Sequence, residues 1–331
     1  MRCAVVGAGA WGTALASLLS SNGHETSIWA LEPDVVRSIN ELHENSRFLK
    51  GFALASSLCA ANDLARVVEG AALVVYATPS HHLRRIAAET KPRLTGNATV
   101  VIATKGIEQG RLALMSEVAA VELPGCPVVA LSGPSFAAEV AAGQPTAIVA
   151  ASADERAAIA VQSAFSSSRF RVYTHDDVIG VELGGALKNV MAVATGMVEG
   201  AGLGFNSRAA LITRGLHEMT RLGVALGAHS ATFAGLAGLG DLVLTCTGAL
   251  SRNRALGIEI GQGATLDEAL AGKETVAEGV LTTASARELA RVHDVSMPIA
   301  DTVFRILFEG QAARDAVPEL MARELRSEQD L

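Results

Sequence analysis

The sequence predicts an α/β protein: a doubly wound parallel sheet followed by an all-helical second domain. Three observations carry that reading. Short apolar runs alternate with helical stretches through the first half of the 331 residues. Strand signals stop near residue 177, and from there the chain reads as helix. Composition shifts with them, since proline is not met again until Pro298. The expected domains are 1–176 and 177–331.

The strands come first. CAVVG (3–7), TSIW (26–29), LVVYATP (73–79), TVVIATKG (99–106), PVVALSG (127–133) and TAIVAAS (146–152) are bounded by Gly, Pro, Ser or Asn. Near-continuous apolar runs fit strands covered on both faces, as in parallel sheets. FRVYTHDD (170–177) closes the set. Between the strands lie helical patterns such as those at 14–23, 34–44 and 80–90. The second domain is expected to hold helices over 178–200, 206–227, 251–261, 265–271, 279–293 and 298–309. A glycine-broken loop is expected at 235–250, and the tail MARELRSEQDL reads as a frayed polar end.

The totals exclude several classes. A net charge of -7 argues against broad nucleic-acid binding, which needs a basic face. Cys3, Cys59, Cys126 and Cys246 are scattered and form no C-x-x-C pair, so reduced thiols are expected rather than a metal or disulfide framework. His81 and His82 lack a third ligand at metal spacing and read as a polar helix start. The chain enters a strand at once, without a signal peptide. No apolar run reaches ~18 residues without a charge or a turn cluster, so no membrane insertion is expected. The expectation is a cytoplasmic protein that binds no metal.

The segment VVGAGAWGTALA (5–16) places Gly7, Gly9 and Gly12 in G-x-G-x-x-G spacing between a strand and a helix. Gly7 allows the tight turn, Gly9 lets the backbone approach a pyrophosphate, and Gly12 lets helix and strand pack closely. The helix N-terminus supplies N–H donors for phosphates. This is a Rossmann-like dinucleotide fingerprint. Trp11 inside the loop is either a packing residue or a wall against the diphosphate. At the end of the second strand, IWALEPD brings Glu32, whose carboxylate accepts hydrogen bonds from a ribose 2′-OH and repels a 2′-phosphate. On this ground NAD is favoured and NADP is left open. The alternative is that Glu32 merely starts the next helix.

Ligands of open α/β sheets bind beyond the carboxyl ends of the strands. Thr78, Pro79 and Ser80, then Thr104 and Lys105, then Ser132, Gly133, Pro134 and Ser135 stand there. Lys105 is the one charge among them, suited to a carbonyl or a phosphate, or else a solvated loop lysine.

In the second half, ELGGALKNVMAVATGMV (182–198) holds one charge after Glu182, namely Lys188. On a helix it shares a face with Gly184, Gly185, Ala192 and Thr195, all small, so another helix or a ligand can come close. Full burial lowers a lysine pKa by ~3–5 units, into the range of general acid–base work; the alternative is a snorkelling or structurally paired lysine. Downstream, GLAGLGDLVLTCTGALSRNRALG (235–257) offers Asp241 as a charge partner and Ser251 as an N-cap. Arg252 and Asn253 then fall in a first helical turn, a good site for a phosphate.

The stretches GAGAWGTALA, ATKGIE, SGPSFAAEVAAGQPTAI, GGALKNVMAVATGM, ALITRGLHEM, AGLGDLVLTCTGALSRNR and VAEGVLT, in this order, closely resemble the cytosolic bacterial-type NAD(P)-dependent sn-glycerol-3-phosphate dehydrogenases. The resemblance covers nearly the whole chain. It implies reduction of dihydroxyacetone phosphate to sn-glycerol 3-phosphate, the phospholipid backbone, by a homodimer. By that resemblance Lys188 handles the proton at the substrate oxygen, and Lys105 touches both substrate and nicotinamide. Gly133 and Ser135 line the substrate site, and Asp241, Ser251, Arg252 and Asn253 complete it. Asn189 and Thr245 lie near the reacting centre. Ala10, Trp11, Ala137, Arg252, Val276 and Glu278 contact the cofactor.

One departure stands out. Many bacterial members carry Arg or His where this chain has Leu31, followed here by Glu32, so the site looks more like that of the NAD-using eukaryotic relatives. Two other readings remain: a two-domain hydroxyacid or ketopantoate-type dehydrogenase, and a non-catalytic dinucleotide sensor. The Arg252–Asn253 helix start favours a phosphorylated substrate over the first, and the Lys188, Asp241 and Lys105 set weighs against the second.

Overall fold

The computed structural model describes residues 1–94, 96–273, 277–322 and 327. It divides into two compact units, Met1–Glu108 with Ala113–Glu182, and Gln109–Leu112 with Leu183–Leu331. The polar end expected for the C-terminal tail lies largely outside the described residues.

In the first unit the chain runs β1 (Arg2–Val6), α1 (Ala10–Ser21), β2 (Glu25–Trp29), α2 (Pro33–Arg37), β3 (Cys59–Ala61), α3 (Leu64–Val68) and β4 (Leu73–Tyr76). It continues through α4 (Leu83–Thr90), β5 (Thr99–Ile102), α5 (Met115–Glu122), β6 (Val128–Ser132), α6 (Ala137–Ala141), β7 (Thr146–Ala151), α7 (Glu155–Phe165) and β8 (Phe170–His175). The sheet order is β3-β2-β1-β4-β5-β6-β7-β8. Alternation along the strands builds two cores. Cys3, Val5, Val75 and Val101 face one layer with Leu15, Leu19 and Phe165. Ala4, Val6, Val74, Tyr76 and Val100 face the other with Val67, Ile86 and Val118. Successive side chains point to opposite faces, so fully apolar strands need helices on both sides.

Two strands of this sheet depart from the sequence expectation. The edge strand β3 is three residues long, too short for any periodicity to show. And β7 pairs antiparallel with β6, with Leu131 opposite Ala150, while the other pairs are parallel. The connection 133–145 carries only the five-residue α6, not the full crossover helix that usually joins parallel strands.

The second unit is helical: α8 (Val178–Gly200, begun in the first unit), α9 (Phe205–Ala225), α10 (Ser230–Phe233), α11 (Asp241–Thr247), α12 (Arg252–Gly261), α13 (Leu266–Leu270), α14 (Glu278–Val292), α15 (Pro298–Phe308) and α16 (Ala313–Met321). The loop expected at 235–250 is instead largely helical, with a π-helical turn at Leu236–Gly240 running into α11. Its glycines permit close packing rather than irregularity: a Cβ at Gly238 would lie 2.2 Å from the Phe233 carbonyl oxygen.

The helix α8 is long and apolar enough to cross a membrane, yet 89% of its apolar window is buried within the protein. Its small residues explain that. Cβ atoms at Gly196 and Gly200 would lie 2.2 Å from the Arg254 and Ile258 carbonyl oxygens. Reciprocally, Gly257 and Gly261 would clash with the Val193 and Met197 carbonyl oxygens. Backbone therefore rests on backbone where α8 meets α12. A buried carboxylate secures another corner: Glu218 of α9 accepts the N–H groups of Ile299 and Ala300 at the start of α15. Burial pushes its carboxyl up to about 7.

Candidate active site

In the first unit the three glycines divide their work. Gly7 has φ +112°, and a Cβ there would lie 2.9 Å from the Ala77 carbonyl oxygen. A Cβ on Gly12 would lie 1.9 Å from the Gly7 carbonyl oxygen, so only glycine lets α1 sit on the turn. Gly9 is the N-cap of α1, and a Cβ there would meet nothing within 4 Å. Ala10 and Trp11 open α1, whose first N–H groups have no intrahelical acceptors. The loop follows β1, which lies between β2 and β4 where the strand order reverses, the usual place for a ligand.

Residues that the sequence reading missed hold this loop. Buried Asn45 donates through Nδ2 to the Ala8 carbonyl at 2.9 Å and to Thr13 Oγ1 at 2.8 Å. Thr13 donates to the same carbonyl. Nothing in the local pattern around Asn45 announces this, because its partners are far away in sequence.

Three buried polar atoms, Trp11 Nε1 in the first turn of α1 and Thr78 Oγ1 and Ser132 Oγ at strand ends, lack hydrogen-bond partners among the described residues. Buried polar groups are normally satisfied. Together with the open backbone at Gly9, they fit a polar ligand such as a nicotinamide dinucleotide. Glu32 is the N-cap of α2, yet its side chain makes no capping hydrogen bond. It thus stands at a helix start without being held there by a capping bond, and both readings of its carboxylate stay open.

Lys105 and Ser135 meet at one atom. Lys105 Nζ donates to the Gly133 carbonyl at 3.3 Å, and Ser135 Oγ donates to it at 2.9 Å. Gly133 has φ +139° and would place a Cβ 2.9 Å from Ile148 Cα, so the residue type is forced. Ala137 begins α6. The segment after Lys105 is anchored by Arg84, whose Nε and Nη2 donate to Glu108 at 2.6 and 2.9 Å while Nη1 donates to Glu122. At the end of the unit, Glu182 accepts from the backbone and hydroxyl of Ser116. Burial pushes its carboxyl up to about 7.

In the second unit Lys188 is 7% exposed and Asp241 1%. Lys188 Nζ donates to Asp241 Oδ1 at 2.5 Å and to Thr245 Oγ1 at 2.9 Å. The Thr245 hydroxyl donates to the Asp241 carbonyl at 2.6 Å, which leaves its oxygen lone pair for the ammonium. Gly184 makes this possible, since a Cβ there would lie 2.4 Å from the Ala237 carbonyl oxygen. The small face of α8 is thus taken, at Gly184, by the turn that leads into α11. Cys246 is buried beside this group, and desolvation pushes its thiol up to about 12, which leaves it without nucleophilic character.

Ser251 is the N-cap of α12 and accepts from Arg254 N at 3.2 Å. Arg252 is exposed in the first turn. Asn253 Nδ2 donates to Asn189 Oδ1 at 3.0 Å, and its Oδ1 accepts from Gly279 N at 3.0 Å. Arg254 turns away and clamps Glu199. Glu278 begins α14, and Val276 lies outside the described residues. The structure joins Lys105 and Ser135 at the Gly133 carbonyl in the first unit, and Lys188 with Asp241 and Thr245, and Asn189 with Asn253, in the second.

Models of the N- and C-terminal parts of NAD-dependent glycerol-3-phosphate dehydrogenase match residues 2–158 and 177–318. An NAD(P)+ glycerol-3-phosphate dehydrogenase of a Geobacter species is 53% identical over 99% of this chain and 98% of its own. The protein of the same name from Syntrophotalea carbinolica is 50% identical over the full length of both. The crystal structure of a glycerol-3-phosphate dehydrogenase from Coxiella burnetii superposes with a TM-score of 0.94 at 41% identity, covering 97% of this chain and 99% of that one.

Proposed function

The chain belongs to the NAD-dependent glycerol-3-phosphate dehydrogenase family, and from that membership we propose how its residues divide the reaction. The protein is an NAD(P)-dependent oxidoreductase that interconverts dihydroxyacetone phosphate and sn-glycerol 3-phosphate. Its place is the supply of the glycerophospholipid backbone.

The nicotinamide, when bound, supplies the hydride for C2 of the three-carbon substrate. The glycine loop and the start of α1 would hold its diphosphate, with Trp11, Thr78 and Ser132 offering polar atoms that have no partner among the described residues. On reduction Lys188 donates a proton to the C2 oxygen, and on oxidation it takes that proton back. Asp241 balances the ammonium charge, and Thr245 fixes the direction of its donors. Arg252, with the N–H groups at the start of α12, holds the phosphate. Lys105, steadied on the Gly133 carbonyl, and Ser135 hold the rest of the substrate.

The observation that carries this reading is the buried Lys188–Asp241–Thr245 group. A lysine this deep, given a carboxylate and a hydroxyl with a fixed donor direction, is built to hold one proton at one place. Glu32 favours NAD over NADP.

The test is direct. Purified protein with dihydroxyacetone phosphate should consume NADH, and NADPH more slowly. No consumption of either overturns the activity. Faster NADPH oxidation at equal subsaturating concentration overturns the NAD preference alone.

A further inference from the structure

The side-chain amide of Asn253 joins three helices. Its Nδ2 donates to Asn189 Oδ1 on α8, next to Lys188. Its Oδ1 accepts from Gly279 N in the first turn of α14. The backbone donor at Gly279 dictates which end of the amide faces it, so the orientation is set by geometry. Gly279 itself is packed without slack: a Cβ there would lie 2.7 Å from the Asn189 carbonyl oxygen, 2.8 Å from Asn253 Oδ1 and 2.9 Å from Val193 Cγ2. The start of α14 can reach Asn253 only because residue 279 has no side chain.

We propose that Gly279 is a positioning residue that couples the phosphate end of the substrate to the dinucleotide. The coupling runs through the amide of Asn253. It rests on the proposed function, in which Arg252 holds the phosphate, and on the family resemblance, which implies that Glu278 contacts the cofactor. A phosphate on the first turn of α12 fixes Asn253. Asn253 fixes Gly279, and with it the adjoining Glu278. A second ligand then binds a helix start already ordered by the first, and the effect is reciprocal.

The experiment is equilibrium titration of NADH by fluorescence, with and without saturating sn-glycerol 3-phosphate, a pair that cannot turn over. The wild type should bind NADH about 5-fold or more tightly in the presence of the phosphate ester. Gly279→Ala should bring that factor below 2 even where its affinity for NADH alone is kept. Asn189→Ala, which removes the amide partner without adding bulk, should do the same and serves if Gly279→Ala does not fold. A wild-type factor near one, or an unchanged factor in a folded variant, overturns the proposal. Failure of the wild type to bind NADH at all overturns the dehydrogenase reading instead.

Discussion

Lys188 Nζ and Asp241 Oδ1 lie 2.5 Å apart in the interior of the helical unit. Each is unaffordable there without the other. Replacing one member of a buried pair typically loses 3–5 kcal/mol, because the remaining charge has no partner. Replacing both with apolar residues removes that cost.

This separates stability from catalysis. Asp241→Ala should lower the unfolding free energy by about 3–5 kcal/mol and abolish turnover. The double variant Lys188→Met with Asp241→Leu should regain most of the stability and none of the activity. Denaturant unfolding and steady-state rates check both. A double variant as unstable as Asp241→Ala contradicts the pairing account. Near-normal turnover of Lys188→Ala would remove the lysine from the chemistry.

The glycine loop makes opposite predictions for two neighbours. Gly12→Ala forces a Cβ to within 1.9 Å of a carbonyl oxygen and should destabilise the protein by several kcal/mol, roughly 3 or more. Gly9→Ala places a Cβ with nothing within 4 Å among the described residues and should leave the melting temperature unchanged while weakening NADH binding by about 10-fold or more, ~1.4 kcal/mol. Thermal unfolding beside NADH titration distinguishes them. A Gly9→Ala variant that binds NADH normally would show that no ligand approaches there.

Glu218 gives a pH prediction. Its carboxyl, ordinarily near 4.5, is raised to about 7 by burial, although the Ile299 and Ala300 N–H groups oppose the shift. Between these values the folded state holds a proton that the unfolded chain releases, so stability falls as pH rises through the window. The penalty is complete above pH 7 and absent below pH 4.5. Relative to Glu218→Gln, the wild type should lose up to about 3 kcal/mol between pH 4.5 and pH 8. A difference that does not vary with pH refutes the assignment. Glu182 shifts in the same direction and gives both proteins a similar slope, which cancels in the difference.

Cofactor preference turns on Glu32. Glu32→Gln keeps the size and removes the charge. It should move the ratio of kcat/KM for NADH over NADPH by about 10-fold toward NADPH, or ~1.4 kcal/mol. An unchanged ratio would assign the selection to other residues.

What the sequence revealed depends on how local the cause is. The turn glycines, the Ser251 cap and the helix α8 are set by neighbours in the chain, and each is legible there. Asn45 under the glycine loop, Arg84 behind Lys105 and Gly279 under Asn253 act on partners distant in sequence, so no window contains both sides of the contact. The strand β3 and the turn at Leu236–Gly240 failed for another reason. One is too short to show a period, and the other hides a helix behind glycines that ordinarily mark a loop.

The glycine contact between α8 and α12 has a consequence for change over time. Peptide groups have no rotamers, so the spacing between the helix of Lys188 and the helix start of Arg252 is a fixed length, not an average over side-chain states. Gly196, Gly200, Gly257 and Gly261 sit face to face, and a methyl group on any one strikes the other backbone. A redesign for a longer or shorter phosphorylated substrate cannot begin by altering the residues that touch the ligand. It must first reset this spacing, and it must do so on both helices at once.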